Sequence, residues 1–312
     1  MRRGLLLVLA LSLGGCQVVA EIVEEAKKVQ FENSPPQKPK TKSKVDKAPK
    51  PKAPKAPEPE DDDEDDDTPP TKVPAPVVKA NVVDLGVAAY PKPTDGTPAA
   101  FSFKVPNLAP SQHKVGYDLD PDERKAIAKF YKDYAKSVSW KRLDEKSFSW
   151  KPPAGCETDM HCVYATLVKR NKPDIEVLTA RFRARAEQQK LNSLQTAQLV
   201  MAFVQAVPYE IPDDPFGIKP PALVLAERRG DCDSKSLLGH VILKSLGVDT
   251  VIVSSQAHAH TLLGIALPAS GTTFKFKGTS YAFAETTAIG SPIGFMNPDL
   301  KSPSDWRVEY GP

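Results

Sequence analysis

Beyond its first fifteen residues the chain has no apolar run approaching the roughly 20 residues that a membrane-spanning helix needs, so no span is expected there. It also lacks a dominant charge: 42 Lys and Arg against 39 Asp and Glu leave a net +3. That small excess hides a basic run followed by an acidic one, and it points to no nucleic-acid partner. Cysteine is scarce, four in 312 residues, so each one can be asked for its own role. Proline is not scarce. The 31 prolines are too many for one compact body and cluster near the front, so the length cannot all be folded domain.

The chain begins with Met1-Arg2-Arg3 and an apolar stretch from Gly4 to Gly15, a signal peptide in length and charge rather than a span. It ends in Leu13-Gly14-Gly15-Cys16, which resembles the lipobox of bacterial lipoproteins. The resemblance implies cleavage after residue 15 and a lipid on Cys16, which tethers the mature chain to a membrane. Gln17, where an aspartate would signal retention, implies the outer membrane, facing the periplasm. Residues 16–76 are expected to be tether and disordered linker. Lysine alternates with proline in Lys47-Ala48-Pro49-Lys50-Pro51-Lys52, and seven acids run from Asp61 to Asp67. Proline without an apolar pattern gives extended chain, and the acids repel one another and stay hydrated.

Residues 77–172 read as an accessory region. Strands are expected over 81–87 and 101–105, with His113 in a loop, and a helix from Asp120-Pro121-Asp122-Glu123, which has a cap, a first-turn proline and first-turn acids. Cys156 and Cys162 have five residues between them. An oxidising compartment favours a local disulfide; a metal site using His161 would lack a fourth ligand, so none is expected.

The last region, 173–312, carries the chemistry. The sequence reads as helical from Asp159, with one helix expected to start at Pro173 and run to about Gln189, and a second at Asn192-Ser193. A third follows Gly230-Asp231, with Leu237, Leu238, Val241, Ile242 and Leu246 at helical spacing and Gly247 at its end. That places Cys232 in a first turn, where unpaired N–H groups and the helix dipole favour a thiolate. Two strands are expected next, 250–255 and 256–267, the second carrying His258 and His260 on one face. A third strand, 280–287, carries Glu285 near its end.

Cysteine on a helix, histidine on one strand and a carboxylate on the next resembles the transglutaminase-like branch of the papain-like cysteine enzymes. The residues that carry the likeness are Gly230-Asp231-Cys232-Asp233-Ser234-Lys235, His260 with Gly264 four residues on, and Tyr281 to Thr287. It spans roughly residues 173–297. It implies an α+β, papain-like core, with a nucleophile helix packed on an antiparallel sheet. The catalytic triad would be Cys232, His260 and Glu285, where the family generally has aspartate. Spacing within the family selects His260 over His258 as the base. Cys232 N–H would serve an oxyanion, with Gln205 or Tyr209 as second donor. The expected activity is that of a peptidase or amidase acting on protein or peptide in the cell envelope, without a cofactor. Alternatives are a cross-linking acyltransferase, an inactive interaction module, and a zinc site built from Cys232, His258 and His260.

Overall fold

A computed structural model describes residues 81–312, apart from 138, 143–146, 152–155, 157–159, 213–215 and 301, together with the backbone of two N-terminal strands. Cys16 and the expected linker up to residue 76 lie outside the described residues, as does most of the expected signal peptide. The two N-terminal strands, β1 (Leu7–Ala10) and β2 (Ala20–Ile22), join a small antiparallel sheet with β6 (Ser139–Arg142) and β7 (Ser147–Lys151), in the order β2-β1-β7-β6.

A second sheet has β3 (Val82–Tyr90) parallel to β5 (Gln112–Leu119), which is antiparallel to β4 (Ala99–Lys104). Its central strand is the one the sequence hides. His113, expected in a loop, is on β5, fully buried and stacked on Phe103 at 5.5 Å. Helix α1 (Pro121–Ser137) begins as expected, Asp120 accepting from the Asp122 N–H at 2.9 Å.

Helix α2 (Met160–Gln188) begins next to Asp159, where the helical pattern starts, but corrects the expected new start at Pro173, because it runs straight through that residue. Proline removes one helical donor and crowds the preceding turn. The buried stripe Tyr164, Leu167, Asn171, Ile175, Leu178, Phe182 is nevertheless continuous on both sides of it, and burial outweighs the local penalty. The boundary expected between 172 and 173 therefore falls inside one helix.

Helix α3 (Ser193–Ala206) opens with a reciprocal capping box between Asn192 and Gln195. A short helix, α4 (Pro221–Glu227), leads into α5 (Cys232–Ser245), whose N-cap Asp231 accepts from the Ser234 N–H at 2.9 Å. From Cys232 to Leu243 every residue of α5 is buried, polar ones included, so the helix is central rather than amphipathic. It packs on α2, α3, α4 and the main sheet.

That sheet is antiparallel throughout, in the order β10-β11-β9-β8-β12. Its strands are β8 (Thr250–Ser255), β9 (His260–Ile265), β10 (Thr273–Phe276), β11 (Thr279–Ala284) and β12 (Arg307–Tyr310). A Cβ on Gly239 would sit 2.9 Å from the Leu263 side chain, so glycine permits the close approach of α5 to β9. The accessory sheet shares the same core. Phe101 and Phe103 of β4 pack on Phe203 of α3 at 5.3 and 5.7 Å, and Phe182 of α2 completes the cluster.

Candidate active site

Cys232, His260 and Glu285 come from the start of α5, the start of β9 and the residue after β11. The segments bearing them are stitched together beside each candidate residue. Asp233, next to Cys232, accepts from the hydroxyl of Thr261, next to His260, at 2.7 Å. Ser236, one turn into α5, lies 3.3 Å from the hydroxyl of Thr286, next to Glu285, and also donates to the Thr261 carbonyl at 3.4 Å.

His260 Nε2 lies 3.0 Å from Glu285 Oε2. The other carboxylate oxygen, Oε1, accepts from the Thr287 N–H at 2.8 Å and the Thr287 hydroxyl at 2.7 Å. Burial alone would raise the Glu285 pKa, but the bond and charge of His260 and the two Thr287 bonds outweigh it and bring it to about 2. An ionised carboxylate held at both oxygens fixes the imidazole ring and leaves Nδ1 for another partner. The extra methylene of glutamate is accommodated because Thr287 folds back onto it.

His258 does not share the strand. β9 begins at His260, and residues 256–259 form the hairpin turn, with Ala259 at φ 44°. The expectation that both histidines share one strand face is corrected by that turn. His258 Nε2 lies 3.2 Å from Asp305 Oδ2, close enough for an ion pair but not aligned for a hydrogen bond. Between the two rings stands Trp306, almost wholly buried, 6.1 Å from His258 and edge-on to His260 at 6.2 Å. Nothing in the sequence pattern marked this tryptophan, which reaches the site because β12 returns antiparallel to β8. His240 takes no part: it is buried, bonds Thr250 at 2.9 Å, and desolvation pushes its pKa down to about 3.

Cys232 is fully buried. Its Sγ is 3.8 Å from Asp233 Oδ2. Asp233 is itself buried, with Oδ1 held by Tyr164 at 3.0 Å as well as by Thr261. Burial pushes both Asp231 and Asp233 up, and their mutual repulsion adds to this for Asp231. Lys235 points the other way, donating to the Gln205 carbonyl at 3.2 Å and the Val207 carbonyl at 2.7 Å, where it caps the end of α3.

The two oxyanion candidates separate. Gln205 spends its amide hydrogens on the carbonyls of Glu285 and Ser291, both at 2.9 Å, and its oxygen accepts from the Gly290 N–H at 3.0 Å. It is a tie between loops, and the commitment of both amide hydrogens corrects its expected role as a donor. Tyr209 is half-exposed beside Gly230, with which it forms a parallel bridge. Desolvation, reinforced by Asp231, Asp233 and Glu285, pushes its phenol up to about 12, so it keeps its proton. Cys156 and Cys162 form a disulfide with Cα atoms 5.3 Å apart, remote in sequence from the site. Among the described residues no group of three or more His, Cys, Asp or Glu side chains is arranged to hold a metal ion, and no helix is long and apolar enough to cross a membrane.

A central helix bearing cysteine, packed on an antiparallel sheet that supplies histidine and carboxylate, is the α+β arrangement of a papain-like core. No family model matches the chain, and no curated protein does. Among solved structures, a "putative protease" from Parabacteroides distasonis is similar at 13% identity and TM-score 0.30, over 50% of this chain and 36% of that one. A structure described as a TGase is similar at 11% identity and TM-score 0.26, over 63% of this chain and 66% of that one. The likenesses thus span less than two thirds of either neighbour. At these values they carry no functional conclusion, and the chemistry rests on the geometry above.

Proposed function

We propose that the chain is a transglutaminase-like cysteine amidase or peptidase, tethered through lipidated Cys16 to the periplasmic face of the outer membrane. The observation that carries the reading is Glu285, buried, held at one oxygen by Thr287 and bonded at the other to His260 Nε2. A carboxylate anchored in this way orients a base.

The reactive species is the thiol of Cys232. His260 takes the thiol proton, and the thiolate attacks an amide carbonyl carbon, forming a C–S bond. The Cys232 backbone N–H, at the start of α5, and the Tyr209 hydroxyl are the donors proposed for the resulting oxyanion. Collapse breaks the C–N bond as His260 returns its proton to the leaving amine. His260 then deprotonates water, which attacks the thioester and releases acid and thiolate. An amine in place of water gives cross-linking by the same steps. No cofactor enters.

The burial of Cys232 favours a second reading, an interaction module that keeps the fold without turnover. Reduced protein separates the two. Rapid, selective alkylation of Cys232 by iodoacetamide near neutral pH, together with amine release from peptide amides, supports the enzyme. Alkylation no faster than a simple thiol, with no amine released, leaves the module.

A further inference from the structure

A cleft of 180 Å³ lies between α3, the β4–β5 turn and the loop after Glu285, lined among others by Val105, Pro106, Met201, Ala202, Gln205 and Pro292. Its volume decides what it can hold. Sites for whole drug-sized ligands run from about 300 Å³ upward, whereas an apolar cavity of about 150 Å³ accepts a benzene ring. The cleft therefore fits one side chain the size of Phe, Leu or Met. No charged side chain lines it, so an entering Asp or Lys would lose hydration without gaining a partner. Ile289, next in sequence to the lining residue Gly290, is 81% exposed, the most exposed large apolar side chain of the described residues.

The cleft is joined to the triad through a single side chain. Gln205 forms part of its wall and also bonds the carbonyl of Glu285, the amide of Gly290 and the carbonyl of Ser291. The same amide that shapes the cleft therefore holds the loop on which the orienting carboxylate stands. A further wall, Val105 to Asn107, belongs to the accessory sheet, which gives that layer a place at the site.

We infer that this cleft is a substrate subsite that takes a benzene-sized apolar side chain of a peptide lying across the triad. The inference rests on the amidase reading for the direction of the peptide, and its test is arranged to stand without turnover. Protein carrying Cys232→Ala is titrated with fluorescein-labelled hexapeptide pools, each with one position fixed as Phe, Leu, Gly or Asp, and binding is read by anisotropy. At one position the Phe and Leu pools should bind about tenfold tighter than the Asp pool, the discrimination expected of one filled apolar pocket. Ala202→Leu fills the cleft from α3, and Asn107→Trp covers it from an exposed turn where folding is not at stake. Each should erase most of that preference in the Cys232→Ala background. Absence of binding, absence of a preferred position, or a preference that survives both substitutions would overturn the subsite. Turnover of the same pools by reduced wild-type protein is a separate readout. If preference is present and turnover absent, the subsite stands and the enzyme falls.

Discussion

At Glu285 the local chemistry makes opposite demands, since a buried carboxylate should resist ionisation and this one is held ionised. His260→Ala should abolish both amide release and any enhanced alkylation of reduced Cys232, and His258→Ala should spare most of both, because His258 sits in the turn beside Asp305. Glu285→Ala should fall between them, since it orients the ring without exchanging the proton. The measurement is the pH dependence of Cys232 alkylation, with circular dichroism as the folding check. If His258→Ala shifts that profile and His260→Ala does not, the assignment of the base is wrong. The same residues set the acid limb of stability. The Glu285 pKa lies at about 2 when folded against 4.5 for the free group, so its contribution is whole above 4.5 and is lost as pH falls through that window. The size is on the order of 3 kcal/mol. His240 acts earlier, because its folded value of about 3 lies below the free 6.5, and the unfolded chain takes up the proton first as pH drops. Between pH 6.5 and pH 5 that costs about 2 kcal/mol. His240→Asn keeps an amide near Thr250 and does not titrate. Its Tm should be lower than wild type at pH 8, where the contact with Tyr310 is lost, but should fall less between pH 8 and pH 5. Parallel melting curves across that range would exclude His240 as the acid-sensitive group.

Among the elements, those with a long period or a strong cap were legible: α1, α3, α5 and β8 lie close to where the spacing puts them. The short ones were not. Strand β12 has four residues and α4 seven, too few for a periodicity to show, and both are held by neighbours rather than by propensity. The β8–β9 turn was misread because its residues resemble strand, and only the left-handed backbone at Ala259 ends the extended run. Trp306, separated in sequence by β10 and β11 from the histidine it packs on, had no local signal at all. Gly264 shows the reverse case, a motif residue whose reason is packing. It pairs with Val251 on β8 and Phe283 on β11, and an added Cβ would lie 2.5 Å from the Phe274 ring and 2.7 Å from the Val251 side chain. Gly264→Ala should therefore destabilise by about 1–3 kcal/mol through overpacking. Phe274→Leu, harmful alone, should recover part of that loss in the double variant, because it removes the atoms in the way. Urea melts of the two single variants and the double give the coupling, and additive losses would mean the strain is relieved elsewhere.

For the molecule as a whole, the sequence suggested an accessory part followed by a catalytic part, and the structure gives the two one interior. Helix α2 crosses the expected boundary, and Phe101 and Phe103 of the accessory sheet interlock with Phe182 and Phe203 of the helices behind the site. The boundary was invisible because proline and a cluster of charges at 169–174 look like an end, while the buried face that overrides them is assembled only in three dimensions. Two deletions should accordingly behave in opposite ways. Removing 81–119 takes out β3, β4 and β5 and strips aromatic partners from the shared core, where losing even one buried Phe costs about 3–5 kcal/mol. A typical domain has only about 5–15 kcal/mol in hand, so this deletion should yield no cooperative melt. Removing 33–76 takes out the proline, lysine and acidic stretch, which has too little apolar surface to offset the entropy of ordering it. Thermal melts of that shortened protein and the full chain should coincide within a few degrees, the shift that about 1 kcal/mol produces in a domain of this size. A fall well beyond this would mean that the stretch docks on the folded part and belongs to its stability, which would end its description as a spacer between membrane and site.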